Sequence, residues 1–251
     1  MWAPTDLRWN ERYGLQPVNQ ASRETGALAP EENLPVNVTV IDYKAGNLTS
    51  VVKSLRHLGA EVTVTDTPEP LAAAQRIILP GVGHFAATRR LDETGLTPAI
   101  RAAITRGIPF LGICVGMQWL LEGSTEAPDQ PGLGYFLGHC ERFPEAGEKV
   151  PHVGWNQIDM SDAPPSRLLA GIRNGEHVYF THSYHAPLNT FVRNDQGEID
   201  WPLAAQTHYI EPFASALEWE NVFGVQFHPE KSGETGLKVL KNFLCFEGYG
   251  L

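Results

Sequence analysis

One cysteine in this chain is placed where a nucleophile could work. Cys114 stands midway between Gly112 and Gly116, after an apolar run at 108–111 that predicts a buried strand ending at Ile113. Glycines at these positions permit a sharp strand-to-helix turn that lifts the side chain above the strand. A helix beginning near Gly116 would also favour thiolate over thiol. The alternative is a buried structural cysteine, but core packing does not require small residues on both sides.

A base and an orienting carboxylate follow a second predicted strand, far down the chain. The strand spans Asn221–Phe227, and His228, Pro229 and Glu230 come directly after it. A histidine at the end of a strand is more often structural. Here, however, Glu230 can turn back to bind the second imidazole nitrogen, which gives a base and its orienter to go with the cysteine. We therefore predict a Cys114–His228–Glu230 triad.

A Gly-x-Gly loop, Pro80–His84, follows another predicted strand. Its backbone N–H groups could form an oxyanion hole, although by itself the loop is more simply interpreted as a plain turn. The dinucleotide-binding Gly-x-Gly-x-x-Gly motif after the first strand and the P-loop motif are both absent from the sequence, so nucleotide-binding folds of those kinds are not predicted.

The elements that would position these residues alternate between strand and helix in the first half. The pattern predicts a parallel sheet with right-handed crossovers, and in such sheets binding sites gather at the carboxyl ends of the strands. Gly59 is a natural C′ residue for the first helix. The predicted elements are strands at 36–42, 61–65, 76–79 and 109–113, and helices at 48–58, 71–74 and 91–106, the last interrupted near Gly95 and Pro98.

The second half predicts short strands at 153–158, 177–184, 203–208 and 213–219, which extend or flank the sheet and are partly antiparallel. A closing helix, 234–243, should face inward through Leu237, Leu240, Phe243 and Leu244. Residues 36–251 read as one domain. Residues 1–35 are polar and proline-punctuated, and we predict a disordered or arm-like extension with at most a short docking helix at 7–13.

Composition excludes several functional classes. The chain has 251 residues, 42% hydrophobic and 19% charged, which is typical of a globular protein, and its formal net charge of −10 argues against a nucleic-acid partner. No apolar run reaches the length of a membrane span, and the first thirty residues lack the order of a signal peptide. Three distant cysteines suit a reducing cytoplasm, with neither a disulfide framework nor a metal site.

Taken together, the motifs resemble those of the class I (triad-type) glutamine amidotransferases, and more narrowly those of the glutaminase subunits of imidazole glycerol phosphate synthase. The resemblance covers the chain from about Val36 onward. The general family is carried by Gly112–Gln118 and Gly224–Glu230. The narrower assignment rests on Pro80–Gly83, Pro151–Asn156, Tyr179–Tyr184 and Lys231-Ser232.

The resemblance implies a flavodoxin-like three-layer α/β domain with a central, mostly parallel sheet and additional antiparallel strands, and it implies no cofactor. Cys114 would attack the side-chain amide of glutamine, and His228, oriented by Glu230, would accept the thiol proton and protonate the departing ammonia. The oxyanion would be held by the N–H of Val115 and by one N–H among Gly81, Val82 and Gly83.

The resemblance also implies the other site residues. Glutamine would be bound by Gln118, Glu126, His182, Ser183 and Tyr184. Ammonia would pass to a separate (β/α)₈ cyclase subunit, which forms imidazole glycerol phosphate and an aminoimidazole carboxamide ribonucleotide in histidine biosynthesis. The family places three positions near that partner in a heterodimer: Asn47, Trp155 and Lys231.

Free glutaminase activity would waste glutamine, so we expect the Pro80–Gly83 loop to be misoriented in the isolated chain and shifted when the partner binds its acceptor. Three alternatives remain open. One is the amidotransferase component of another pathway, such as anthranilate synthase. Another is a binding module that kept the fold without catalysis, and the last is a stand-alone cysteine hydrolase of γ-glutamyl compounds. Activity with and without a cyclase separates the hydrolase from the favoured function.

Overall fold

The computed structural model describes residues 36–45, 48–194 and 196–246. The predicted extension at 1–35 and the predicted partner residue Asn47 lie outside these ranges. The strands are β1 Asn37–Ile41, β2 Glu61–Thr65, β3 Ile77–Gly81, β4 Phe110–Cys114, β5 Gly123–Ser124, β6 His139–Arg142, β7 His152–Gln157, β8 His177–His182, β9 Tyr184–His185, β10 Val192–Arg193, β11 Ile199–Asp200, β12 Leu203–His208, β13 Pro212–Trp219 and β14 Val222–Val225. The helices are α1 Leu48–His57, α2 Arg89–Glu93, α3 Leu96–Thr105, α4 Val115–Trp119 and α5 Gly233–Leu244.

A seven-stranded sheet in the order β12-β13-β14-β4-β3-β1-β2 forms the centre of the fold. Strands β2, β1, β3, β4 and β14 are parallel, and β13 and β12 run antiparallel at one edge. Every residue of β3, β4 and β14 is buried, because parallel strands covered on both faces need apolar side chains on both faces. The predicted mostly parallel sheet with additional antiparallel strands is confirmed.

The helices fall into two groups, as a three-layer domain requires. Helix α1 contacts α5, whereas α2 and α3 contact each other. Helix α1 ends as predicted before Gly59, whose φ of +85° is left-handed. The predicted 91–106 helix is divided at Gly95 alone, with φ +75°. The interruption predicted near Pro98 is wrong, because this proline lies in the first turn of α3, where its missing N–H breaks no helical bond.

Two further sequence predictions need correction. The predicted helix at 71–74 is a 3₁₀ turn, Glu69–Ala72, that begins two residues earlier at a proline-rich start. On α5 the buried stripe consists of Val239, Leu240, Phe243 and Leu244, whereas Leu237 is only half-buried. Residues of a helix that face the core recur every three to four positions. Val239, four residues before Phe243, therefore faces the core, whereas Leu237 lies at the edge of the buried face.

The strands predicted at 203–208 and 213–219 join the edge of the main sheet as β12 and β13, whereas those predicted at 153–158 and 177–184 form small sheets beside it. Strands β7 and β8 pair antiparallel with each other, with Trp155 opposite Tyr179. The strand predicted at 177–184 is divided at Ser183 into β8 and β9, and β9 pairs with β6. Within the described ranges, none of the helices has the length and apolar character needed to cross a bilayer.

Candidate active site

The predicted strand-to-helix turn at Cys114, which we call the elbow, is present at the carboxyl end of β4. Cys114 is the last residue of the strand and has φ +53° and ψ −111°, and α4 starts at Val115. The strand therefore ends one residue later than predicted, and the helix starts one residue before Gly116. A positive φ is unfavourable for a residue with a Cβ, and such strain persists only where the surrounding structure holds it. The turn is therefore a constrained position for the sulfur.

Both flanking glycines are needed because the backbone passes too close to them for a side chain. A Cβ on Gly112 would meet the Gly116 carbonyl oxygen at 2.5 Å, and a Cβ on Gly116 would collide with the Leu79 carbonyl oxygen of β3. Real Cβ atoms do not approach backbone this closely. The glycines thus allow the first turn of α4 to fold back over β4 and β3.

His228 is brought to the same edge by the strand next to β4. Strand β14 runs parallel to β4 with Val225 opposite Ile113. The chain then leaves the main sheet, because the His228 N–H donates to the Tyr179 carbonyl of β8 at 2.9 Å. The His228 Nδ1 lies 2.8 Å from Glu230 Oε1, and both side chains are almost fully buried. The three predicted catalytic residues are therefore assembled at one place.

The charge state of His228 depends on its two anionic neighbours. Burial lowers the pKa of its ring, but a Cys114 thiolate beside it and the Glu230 carboxylate outweigh burial and raise the pKa to about 9. Among the described residues, His228 Nε2 has no hydrogen-bond partner, and neither has Glu230 Oε2. The ring of His228 is thus favoured in its protonated form at neutral pH, beside the sulfur of Cys114.

The predicted oxyanion loop begins beside the nucleophile. Gly81 pairs with Cys114 in the parallel register of β3 and β4. A Cβ on Gly81 would meet Val115 Cβ at 2.8 Å, so the loop and the elbow are in close contact. The Val82 N–H, however, donates to the Ala45 carbonyl at 3.3 Å. In this arrangement one candidate oxyanion donor already has a backbone acceptor.

The residues predicted to bind glutamine lie around the elbow. The Gln118 side-chain Nε2 is buried and donates to the Tyr184 carbonyl at 2.8 Å. Ser183 separates β8 from β9, and its carbonyl accepts the Phe143 N–H at 3.0 Å. Glu126 Oε2 accepts the Phe85 N–H at 2.7 Å, which fixes it next to the end of the Gly-x-Gly loop. Their roles toward glutamine stay predictions.

Both ring nitrogens of His182 are engaged within the protein. Its Nδ1 lies 2.9 Å from the Tyr184 carbonyl, and its Nε2 lies 3.1 Å from Nδ1 of the buried His152. Burial lowers the pKa of His152 to about 4 and holds the pKa of His182 well below its usual range. Because the carbonyl only accepts, Nδ1 of His182 carries the proton, and His152 donates to Nε2. A contribution of His182 to glutamine binding would therefore act through the position of Tyr184.

Gln226, which is not among the predicted site residues, contacts the predicted nucleophile Cys114 directly. Its Nε2 lies 3.5 Å from Cys114 Sγ, and the residue is fully buried. The available signal was a long amide side chain inside an otherwise apolar strand, because a buried polar group normally needs a partner. The Pro151–Asn156 motif holds His152 together with Asn156, whose Nδ2 lies 3.3 Å from His152 Nε2.

Two of the three predicted partner residues share one exposed surface. Trp155 is 56% exposed, its ring lies 6.1 Å from that of Tyr179, and the Lys231 ammonium lies 5.7 Å from the centre of the Tyr179 ring. Val153, also 56% exposed, is two residues before Trp155 on β7. We call Val153, Trp155, Tyr179 and Lys231 the Trp155 surface.

Known proteins match this chain over most of its length. The family model described as "Glutamine amidotransferase class-I" matches residues 39–245. The imidazole glycerol phosphate synthase subunit HisH of Synechococcus sp. (strain JA-3-3Ab) is 46% identical over 213 residues, which cover 84% of this chain and 94% of that protein. The subunit HisH of Caldanaerobacter subterraneus subsp. tengcongensis is 44% identical over 82% of this chain and 96% of that protein.

Solved structures give the same fold at low sequence identity. A structure described as PurLQS from Thermotoga maritima has a TM-score of 0.63 at 19% identity and covers 84% of this chain and 98% of that one. A glutamine amidotransferase crystal structure has a TM-score of 0.60 at 20% identity, covering 82% and 96%. With the assembled cysteine, histidine and glutamate, these matches show that the chain belongs to the class I glutamine amidotransferases and, within them, to the family of the imidazole glycerol phosphate synthase subunit HisH.

Proposed function

We propose that this protein is the glutaminase subunit of imidazole glycerol phosphate synthase. It hydrolyses glutamine to glutamate and ammonia, and the ammonia passes to a separate cyclase subunit that forms imidazole glycerol phosphate and the aminoimidazole carboxamide ribonucleotide. The observation that carries the proposal is the contact of His228 with Glu230 at 2.8 Å beside the strained Cys114. The 44–46% identity to HisH subunits over most of both chains supports the pathway.

The chemistry follows from the charge states of the three residues. The Cys114 thiolate attacks the glutamine amide carbon and forms the S–C bond. The protonated His228 gives its proton to the amide nitrogen, the C–N bond breaks, and ammonia leaves while a γ-glutamyl thioester remains on Cys114. Neutral His228 then takes a proton from water as the water attacks the thioester, so that glutamate is released and the thiolate returns. Glu230 holds the ring in position and stabilises its protonated form.

Oxyanion stabilisation provides the point of control. The Val115 N–H and one N–H from Gly81–Gly83 would hold the negative oxygen, but Val82 N–H is bonded to Ala45 in this structure. For Val82 to serve as that donor, its bond to Ala45 must break. Since loss of one such donor lowers kcat by about 100- to 1000-fold, the isolated chain should be a poor glutaminase. Acceptor binding to the cyclase would shift the loop.

Glutamine would lie over the elbow, with Gln118 and Glu126 at its side chain and α-amino end and with the backbone of Ser183 and Tyr184 at its α-carboxylate. His182 would set the position of Tyr184 through its bond to that carbonyl. The cyclase would dock on the Trp155 surface, and the family resemblance adds Asn47 as a further partner residue. We also propose a cytoplasmic location, a catalytic domain at 36–251 and an accessory extension at 1–35.

The test is copurification with a candidate cyclase, followed by a glutaminase assay of the chain alone, with the cyclase, and with the cyclase and its nucleotide substrate. We expect weak activity alone and strong stimulation by the liganded complex, both abolished in Cys114→Ala. Equal rates with and without the cyclase would overturn the coupling and favour a stand-alone γ-glutamyl hydrolase. Stimulation by an anthranilate synthase component instead would favour the other amidotransferase.

A further inference from the structure

A buried amide contacts the sulfur of the nucleophile from the strand next to it. Gln226 is the first residue after β14, is completely buried, and places Nε2 3.5 Å from Cys114 Sγ. Its backbone N–H donates to the Ser215 carbonyl of β13 at 2.9 Å. The side chain is therefore held between the antiparallel edge of the sheet and the elbow.

The Tyr184 carbonyl determines which atom of the Gln226 amide faces the sulfur, because it is linked to Gln226 through the side chain of Gln118. The Tyr184 carbonyl can only accept, so the Gln118 side-chain atom 2.8 Å from it must be the nitrogen. That same nitrogen lies 3.1 Å from the Gln226 side chain, and the atom facing it must be the oxygen. The nitrogen of Gln226 is left to face Cys114. The amide orientation is thus fixed by the network and not by an arbitrary choice between oxygen and nitrogen.

Besides His228, the sulfur has one hydrogen-bonding neighbour that can accept from it and one that can donate to it. As a thiol it can donate toward the Thr181 carbonyl, 4.0 Å away. As a thiolate it can accept from the Gln226 amide at 3.5 Å. A thiol sulfur is only a weak acceptor, and a donor that binds the charged form more strongly favours that form. Resting on the proposed function, we infer that Gln226 is a further catalytic residue, whose amide N–H holds and stabilises the Cys114 thiolate before attack on glutamine.

Packing alone does not explain an amide at this position. The neighbouring residues Val225 and Phe227 are buried and apolar, and burying an amide among them is unfavourable unless its polar atoms are used. Here its oxygen accepts from Gln118 and its nitrogen donates to the sulfur. The network also ties the nucleophile to Tyr184, in the segment predicted to hold the glutamine α-carboxylate.

The experiment measures the thiolate directly, by alkylation with iodoacetamide as a function of pH. All proteins carry Cys245→Ser, because Cys245 is exposed whereas Cys140 is buried, and mass spectrometry locates the label. Gln226→Leu removes the donor at similar volume, and Gln226→Met replaces it if the leucine variant does not fold. Gln226→Glu keeps an acceptor for Gln118 but sets a negative charge against the sulfur. Ser215→Ala, a buried change beside the Gln226 backbone, is the matched control.

We expect Gln226→Leu to slow alkylation at pH 7 by about tenfold or more, since a hydrogen bond to a charged group accounts for a factor of this size. The alkylation profile should move to higher pH, further still in Gln226→Glu, and should not move in Ser215→Ala. In the cyclase complex kcat should fall by about 10- to 100-fold with KM changed less than about threefold.

An unchanged alkylation profile and kcat in a folded Gln226→Leu protein would overturn the inference. The two proposals fail separately. If the parent protein does not hydrolyse glutamine with any cyclase but the leucine substitution still shifts the alkylation profile, the proposed function is wrong and the role of Gln226 toward the thiolate stands.

Discussion

Gly81 and Cys114 lie directly opposite each other at the ends of two adjacent parallel strands. The start of the oxyanion loop is therefore fixed to the nucleophile by the hydrogen-bond register of the central sheet. The next residue is held outside this register, since the Val82 N–H donates to the Ala45 carbonyl at 3.3 Å. The shift of the loop that we predict on acceptor binding would therefore leave the pairing of Gly81 with Cys114 intact.

Glu230→Gln tests the charge coupling at the triad. The carboxylate helps to raise the pKa of His228 to about 9, so the protonated ring is retained up to that pH and is lost above it. Removing the carboxylate lowers the pKa, and the alkaline limb of kcat/KM for glutamine should move to lower pH. We expect kcat to fall about 100-fold or more. The measurement is a pH–rate profile of the cyclase complex.

The raised pKa of His228 also makes the stability of the protein depend on pH. A raised histidine pKa contributes stability that is complete below the unfolded value near 6.5 and is lost as the pH rises through about 9. The parent protein should thus lose more stability than Glu230→Gln between pH 6.5 and 9.5. An unshifted alkaline limb together with equal losses would contradict the charge coupling.

Gly116→Ala tests the close approach behind the elbow. The new Cβ would collide with the Leu79 carbonyl oxygen, an atom of a central strand that cannot move aside. We expect the free energy of unfolding to fall by about 3 kcal/mol or more. Chemical denaturation with urea measures it.

Gly107→Ala is the control for backbone strain alone. Gly107 has φ +80° but open space around the position of a Cβ, so alanine there should destabilise by only about 1 kcal/mol. If both variants lose the same stability, the collision behind the elbow plays no part.

His152→Gln tests the neutral histidine pair. The pKa of His152 is lowered to about 4 by burial, so between pH 6.5 and 4 the unfolded chain binds a proton that the folded chain excludes. Stability should therefore fall on acidification, by at most about 3 kcal/mol from this residue. The glutamine side chain that replaces His152 can keep the hydrogen bonds to His182 and Asn156 but does not titrate. We expect a flatter acid limb in urea denaturation from pH 7 to 4.

The corresponding control is His57→Gln, which changes an exposed histidine on α1. It should leave the acid limb as steep as in the parent protein. A limb that stays equally steep in His152→Gln would show that the proton is taken up elsewhere.

Trp155→Ala tests the Trp155 surface. A tryptophan that is 56% exposed in the free chain would be covered by the cyclase, and aromatic residues dominate such contacts. We expect cyclase affinity to fall about 10- to 100-fold, measured by isothermal titration calorimetry. Trp201→Ala, which changes a tryptophan 45% exposed beside β11, should leave affinity unchanged. Equal effects of the two substitutions would place the interface elsewhere.

Local sequence patterns predict the structure correctly where a short run of residues determines it. The elbow at Cys114 and the helix end at Gly59 follow from glycine spacing, and the strands of the central sheet follow from apolar runs. Pairing among the short strands was less predictable, because β7 and β8 bind each other across a separation in sequence that no local pattern specifies.

The same limit applies within the site. Glycines and a Pro-flanked histidine and glutamate mark the triad, but the contact of Gln226 with Cys114 joins residues 112 positions apart. Its existence depends on β14 lying beside β4. The bond from Val82 to Ala45 also depends on a loop conformation, since any non-proline residue supplies the same N–H.

In the turn Pro229–Lys231, two consecutive residues make contacts in different directions. Glu230 points inward to His228, and Lys231 lies over Tyr179, whose carbonyl receives the His228 N–H. A protein that binds Lys231 on the outer side of this turn therefore contacts the residue next to Glu230, whose carboxylate orients the imidazole of His228. A cyclase bound at Lys231, as we propose, could thus affect proton transfer by His228 through the single peptide bond that joins Lys231 to Glu230.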